Sequence, residues 1–266
     1  MSHFTDKVVW ITGASSGIGE ALAYKFSVEG AKLVLSSRRE SELQRVRSAC
    51  AHPENVSILP LDLVDLASLE DKTARAIGAF GHIDIMVHNG GVSQRSIVAE
   101  TSLEVHRQVM ELDYFSYVAL TRHLLPHFLT RSAGHFVVVS SVMGKIGTPM
   151  RSAYAAAKHA LHGFFDCLRA EVSANHIQVT LLTPGYIRTN ISLNAVTADG
   201  SKLGVLGKDI GNGLAPDKAA DQILRAVRAG KYEAYIGKFS GERFALLINR
   251  FAPSVLVKIA AGLNPK

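Results

Sequence analysis

Val8-Val9-Trp10-Ile11-Thr12-Gly13-Ala14-Ser15-Ser16-Gly17-Ile18-Gly19-Glu20-Ala21-Leu22-Ala23 decides the fold. It reads as a short apolar strand, a glycine turn and the start of a helix. Glycines at such a turn let the backbone approach a pyrophosphate, whose charge meets free amides and the positive end of the helix. The spacing is Gly-x-x-x-Gly-x-Gly, and Gly13, Ser15, Ser16, Gly17, Ile18 and Gly19 are its candidate cofactor contacts. A Gly-Lys-Ser/Thr ending is missing, which argues against a phosphate loop that hydrolyses nucleotides.

Outward from this unit the pattern repeats. Apolar runs at Val8–Ile11, Leu33–Leu35, Val56–Leu59, Ile83–Val87, Phe136–Val139, Ile177–Leu182 and Tyr232–Ile236 are hydrophobic almost throughout, as strands covered on both faces are. Between them, Gly17 to Glu29, Glu40 to Ala51, Leu66 to Phe80, Leu103 to Thr130, Ser152 to Ala174 and Pro216 to Ala229 have crossover-helix length and periodicity. The prediction is one doubly wound, Rossmann-type α/β domain over residues 1–266, a seven-stranded parallel sheet with helices on both faces. Pro126 is expected to kink or end the fourth helix. The Gly-, Asn- and Ser-rich stretch 190–215 reads as a mobile substrate lid, and 240–266 as a C-terminal helical extension.

The chain has 266 residues, 47% of them hydrophobic and 20% charged, enough to bury a full core. Its net charge of +6 comes without basic runs interleaved with aromatics and without zinc-finger spacing, so nucleic acid is not expected as a partner. A phosphate-rich cofactor is the expected acidic partner. Two cysteines, Cys50 and Cys167, fall short of a disulfide framework. The first apolar run follows the initial methionine so closely that no signal peptide is read, and a cytoplasmic location is expected.

The second strand ends in Ser36-Ser37-Arg38-Arg39, where a dinucleotide fold usually offers an acid to the ribose hydroxyls. Ser37 and Arg38 suit a 2′-phosphate instead, so NADP(H) is expected over NAD(H); arginines merely exposed ahead of the next helix are the alternative. Farther on, Tyr154 and Lys158 stand four apart in a helix-forming stretch and share one face. An ammonium beside a phenol favours the phenolate, which suits acid/base chemistry at a carbonyl. The spacing alone is common on helices, and its weight comes from the glycine turn.

With both segments in hand, the chain resembles the short-chain dehydrogenase/reductase family in its shorter, single-domain branch, over nearly its whole length. Asp62-Leu63 is similar to the family's adenine contact, and His88-Asn89-Gly90-Gly91 resembles its Asn-Asn-Ala-Gly segment, through Asn89, Gly90 and Gly91. Ser141 stands thirteen residues before Tyr154, the separation of the family's catalytic serine, and Pro184-Gly185-Tyr186-Ile187-Arg188-Thr189 resembles the segment flanking the nicotinamide. The resemblance implies Tyr154 as general acid or base and Lys158 as its tuner and ribose contact. It further implies that Ser141 holds the substrate oxygen, that Thr189 anchors the carboxamide, and that Pro184, Gly185 and Ile187 line the cofactor.

Two positions depart from the family pattern. Asp113 occupies the place of an asparagine that supports a water chain to the lysine. Its charge either offsets the pull of Lys158 on Tyr154 or is tolerated without effect. His88 replaces the first asparagine and is read as a packed histidine. His123 and His127, four apart, lack a third ligand, so no metal is expected.

Val92, Gln94, Val142, Met143 and Tyr186 are the candidate substrate pocket, suggesting a small apolar ketone, aldehyde or alcohol. The expected activity is NADP(H)-dependent carbonyl reduction or the reverse alcohol oxidation. The alternative is a catalytically weak or inactive NADP(H)-binding regulator, and sugar epimerisation or dehydration is disfavoured by the short chain. A homodimer or homotetramer is expected. In the tail, Phe244, Leu247, Ile248 and Phe251 recur at helical spacing, followed by Leu256, Ile259 and Leu263, with Arg243, Arg250 and Lys258 among them. A site cover or subunit contact is preferred there over a membrane surface.

Overall fold

The computed structural model describes residues 2–205, 207, 211–239 and 241–263. The apolar runs become β1 (Val8–Thr12), β2 (Lys32–Ser36), β3 (Val56–Ile58), β4 (Ile85–His88), β5 (Gly134–Val139), β6 (Ile177–Pro184) and β7 (Glu233–Ile236). They form one parallel sheet in the order β3-β2-β1-β4-β5-β6-β7. β1 pairs with β2 on one side and β4 on the other, Trp10 facing Val34 and Met86 in register. Strand order reverses at this point, which opens a crevice at the carboxyl ends of β1 and β4.

Side chains alternate across the sheet, so its two faces carry separate cores. Val9 and Ile11 pack with Phe26, Leu43 and Ile223. These come from α1 (Gly17–Val28), α2 (Glu40–Ala49) and α7 (Pro216–Arg228). Val8 and Trp10 pack with Tyr117, Phe128 and Phe165 on the other face. Those belong to α5 (Ser116–Arg131) and α6 (Ser152–Glu171), beside which α3 (Leu69–Phe80) also lies. Each such fully buried large side chain contributes roughly 1.5–3 kcal/mol.

The fourth helix does not end at Pro126. Helix α4 (Leu103–Met110) enters α5 through a π-helical turn, Glu111–Phe115, and α5 then runs on past Pro126 to Arg131. Arg122 and Pro126 are both exposed, so water can take the carbonyl that proline leaves without a donor, and the helix survives. The irregularity lies where Asp113 is placed, and turns of this kind are frequent at functional sites.

The chain ends in α8 (Gly241–Phe251) and α9 (Pro253–Ala261). Within 190–215, Val196 forms bridges with Gln94 and with Lys202, and Ala195 and Val196 are buried. Residues 206 and 208–210 of that stretch, and 240 and 264–266 of the C-terminal extension, lie outside the described residues.

Candidate active site

The glycine turn is built from contacts that admit no side chain. A Cβ on Gly13 would stand 2.7 Å from Gly90 Cα, and one on Gly19 would stand 2.4 Å from Gly13 O. Gly13 and Gly17 also have φ of 65° and 62°, the left-handed region that favours glycine. Asn89 fastens the turn from β4: its amide Nδ2 donates to Thr12 O at 3.0 Å and to Gly13 O at 3.3 Å. A Cβ on Gly90 would meet Leu63 Cδ1 at 2.5 Å and displace that side chain, and Thr189 packs against Gly17.

Helix α1 begins at Gly17 with no side-chain cap from Ser16. Its first N–H groups therefore point into the crevice beside Ile18 and buried Ser15, a donor set that fits a pyrophosphate. Asp62 sits at the rim, where its carboxylate accepts from Val64 N at 3.3 Å.

At the end of β2, Ser37 is half-buried and Arg38 exposed. The neighbour that sequence reasoning passed over is Arg39, whose Nη2 donates to Ser15 Oγ at 3.1 Å across the turn. Arg45 joins it, pairing with Glu20 at 2.8 Å and reaching Ser15 O at 3.4 Å. No acid occupies positions 36–39, so this edge is cationic.

Ser141, Tyr154, Lys158 and Asp113 are all buried. Lys158 Nζ lies 5.6 Å from the Tyr154 ring centre and 5.4 Å from that of Tyr117. It donates to Val139 O at 3.3 Å and pairs with Asp113 Oδ2 at 3.2 Å. Asp113 Oδ1 accepts Val92 N at 2.8 Å, which places the carboxylate directly under Gly91. Oδ2 has no aligned donor, so its contact with Lys158 is an ion pair and not a well-directed hydrogen bond.

Burial pulls Lys158 towards neutrality, but the carboxylate of Asp113 outweighs it and holds the ammonium well above the ordinary lysine value. Burial raises the Asp113 carboxyl against the pull of Lys158 and the Val92 amide. It also raises the Tyr117 phenol, which donates to Gly90 O at 3.0 Å. Tyr117 is a second residue missed in the sequence, since nothing in its spacing connects it to Tyr154. Ser141 Oγ accepts from Met143 N at 3.1 Å, which leaves its own proton to donate.

Gln94 is wholly buried, and its Nε2 donates to Ser96 O and Ser96 Oγ, each at 2.8 Å, whereas its Oε1 has no partner among the described residues. Val142 is buried as well, whereas Val92 and Met143 are half-buried and Tyr186 is exposed. Pro184 ends β6, Gly185 packs beneath the Tyr235 hydroxyl, and the Ile187 side chain belongs to the core, leaving its backbone to the cofactor segment. His88 is buried and stacks on Tyr117 at 4.8 Å, with its Nε2 3.0 Å from Thr121 Oγ1. His127 accepts from Ile83 N at 3.3 Å, a structural contact.

The family model described as short chain dehydrogenase matches residues 7–199. The chain belongs to the short-chain dehydrogenase/reductase family. A dehydrogenase/reductase SDR family protein 7-like of Anopheles gambiae is 43% identical, covering 95% of this chain and 81% of its own. A dehydrogenase/reductase SDR family member 7B of Bos taurus is 40% identical, covering 98% of this chain and 82% of its own. Among solved structures, a short-chain dehydrogenase from Streptomyces avermitilis superposes with a TM-score of 0.83 at 29% identity, covering 97% of this chain and 96% of its own. A family member from Burkholderia phymatum, solved in complex with NAD, has a TM-score of 0.82 at 23% identity, covers 96% of each chain, and attests to the fold. These oxidoreductases share the seven-stranded architecture found here.

Proposed function

We propose that this chain transfers a hydride between NADP(H) and a carbonyl or secondary alcohol, with Tyr154 as general acid in reduction and general base in oxidation. The observation that carries this reading is Lys158: a buried ammonium, one helical turn from Tyr154, 5.6 Å from its ring centre. When bound, the reduced nicotinamide supplies the hydride. Ser141 donates a hydrogen bond to the substrate oxygen, keeping its own proton, and holds the carbonyl carbon in place. Tyr154 gives its phenolic proton to that oxygen as the carbon–oxygen π bond breaks, and the buried ammonium of Lys158 stabilises the phenolate left behind. The phenolate then regains a proton from solvent.

Thr189, Asn89 and the turn from Gly13 to Gly19 would hold the cofactor, and Ser37, Arg38 and Arg39 would receive a 2′-phosphate. The same reading carries a small apolar carbonyl or alcohol as substrate, a homodimer or homotetramer, and a cytoplasmic location in keeping with two free thiols. Stretch 190–215 would close over the substrate, anchored at Val196. A second reading, an inactive NADP(H)-binding regulator, is favoured by one observation: Asp113 draws on the charge of Lys158.

NADPH consumption against a panel of ketones and aldehydes separates the two. Turnover that Tyr154→Phe reduces by about 10²–10⁴-fold, with NADPH affinity retained, supports catalysis. NADPH binding without turnover on any carbonyl supports the regulator.

A further inference from the structure

The two C-terminal helices leave an apolar face that nothing among the described residues covers. No residue of α8 is buried, and in α9 only Leu256 is. Phe244, Leu247 and Phe251 fall at i, i+3 and i+7, hence on one side of α8, and are exposed by 50%, 51% and 77%. Phe239, 74% exposed, meets Phe244 edge-to-face with ring centres 5.3 Å apart, and beyond the helix junction Val257 and Leu263 are exposed by 67% and 62%.

Beside the apolar stripe runs a basic one. Arg243 and Arg250 are seven residues apart and so share a line along α8, and Lys258 follows in α9. The Arg243 guanidinium lies 5.2 Å from the Phe239 ring centre, and that of Arg250 lies 5.9 Å from Phe251. Charge and aromatic surface are thus presented together. Among the described residues no ion pair engages Arg243, Arg250 or Lys258. The only acid from 241 onward is Glu242, whose Oε1 accepts from Tyr186 N at 3.2 Å.

This charge pattern discriminates between covers. A second copy packed through a two-fold axis would set the same three cations against themselves, with one acid per copy in exchange. An anionic lipid surface complements both stripes at once: the phenylalanines and leucine enter the headgroup boundary while the arginines and lysine meet lipid charge. The helices lie on such a surface and do not cross it, since among the described residues no helix is long and apolar enough to span a bilayer.

We infer that the α8–α9 pair is a docking face for an anionic membrane surface. This departs from the cover or subunit contact preferred on sequence grounds, because Phe244, Leu247 and Phe251 stay exposed and a two-fold contact would set like charges against each other. The pair is tied to the rim of the site: Asn249 donates to Lys145 O at 2.9 Å, close after Ser141, and Glu242 holds the backbone of Tyr186. Assembly through other faces is unaffected, and docking does not depend on turnover.

The test is flotation of the full chain with vesicles of phosphatidylcholine, with and without phosphatidylserine. Expected are binding to the phosphatidylserine vesicles only, its release by high salt, and its loss in Phe251→Ser with Leu247→Ser. Replacing Arg243 and Arg250 together by alanine lowers partitioning about thirtyfold, at ~1 kcal/mol per basic residue near the surface, whereas replacing both by lysine retains it. Thermal melts matching the parent's show that the variants fold. Equal binding to both vesicle types, or none to either, overturns the proposal. So does a drop in subunit number on Phe251→Ser with vesicle binding unchanged, which would make a second copy the cover.

Discussion

Lys158 Nζ stands 3.2 Å from Asp113 Oδ2 in a position closed to solvent, so the ammonium nearest Tyr154 is shared with a carboxylate. A neutral partner would leave that charge undivided. Asp113→Asn keeps an oxygen to accept the Val92 N–H, so the loop from Gly91 holds. The substitution removes a negative charge that opposes the phenolate. In the alcohol-oxidising direction, where Tyr154 must be deprotonated to act as base, the acidic limb of the kcat/KM profile should move to lower pH. A profile that overlays the parent's means that the aspartate is merely tolerated.

The cationic edge of β2 sets the second expectation. Arg38 is exposed and Arg39 is already bonded to Ser15 Oγ, so Arg38 is the side chain able to turn towards a 2′-phosphate without giving up a contact seen here. A charge-assisted bond of about 1.5–3 kcal/mol corresponds to about ten- to hundredfold in affinity. Arg38→Asp should therefore lower the NADPH-to-NADH ratio of kcat/KM by at least about tenfold, through added repulsion. Arg39→Ala should cost less in that ratio while loosening the turn at Ser15. An unchanged ratio in Arg38→Asp would remove the assignment of this edge to the phosphate.

What was legible in the sequence follows from the range of the interactions involved. Strands buried on both faces leave continuous apolar runs, and a turn that admits no Cβ leaves glycines, so the sheet and cradle could be read locally. Arg39 could not, because Ser15 lies 24 positions away and only the β1–β2 pairing brings the two together. Tyr117 likewise meets Lys158 only because α5 and α6 pack on the same face of the sheet. For Gln94, side-chain type alone suggests a pocket, and only the fold shows that its amide nitrogen is held by Ser96 two residues on. Pro126 does not stop its helix, because the cost of a proline depends on whether water reaches the carbonyl one turn back.

Two glycines that look alike in sequence should respond in opposite directions. In Gly19→Ala the new methyl meets Gly13 O at 2.4 Å and Asn89 Nδ2 at 2.6 Å, and the nearer of these is backbone. Overpacking of this kind costs roughly 1–3 kcal/mol, and it should weaken NADPH binding by distorting the turn. Gly163, exposed in the middle of α6, has nothing within 4 Å of the place a methyl would occupy and should gain up to about 1 kcal/mol as alanine. Denaturant midpoints of the two variants check the pair. A Gly19→Ala protein as stable as the parent and binding NADPH normally would mean that the turn is not the tight cradle described.

Three buried histidines make stability depend on pH. Burial lowers His88 to about 3, His135 to about 4 and His162 to about 4. Each stays neutral in the fold, whereas in the unfolded chain each takes a proton below about 6.5. Above that pH neither state binds the proton and stability is unaffected. As pH falls from about 6.5 towards 4 the unfolded state is protonated first, so stability is lost across that window, at up to about 1.4 kcal/mol per histidine per pH unit. Their ring contacts show why the fold resists the charge: His88 lies between Tyr117 and Phe136, and His162 Nδ1 has no partner to share a second proton. Unfolding near pH 5 should therefore take up between about two and three protons, as measured by calorimetry in buffers of different ionisation enthalpy. Uptake of less than about one proton would mean that these rings reach solvent in the native state.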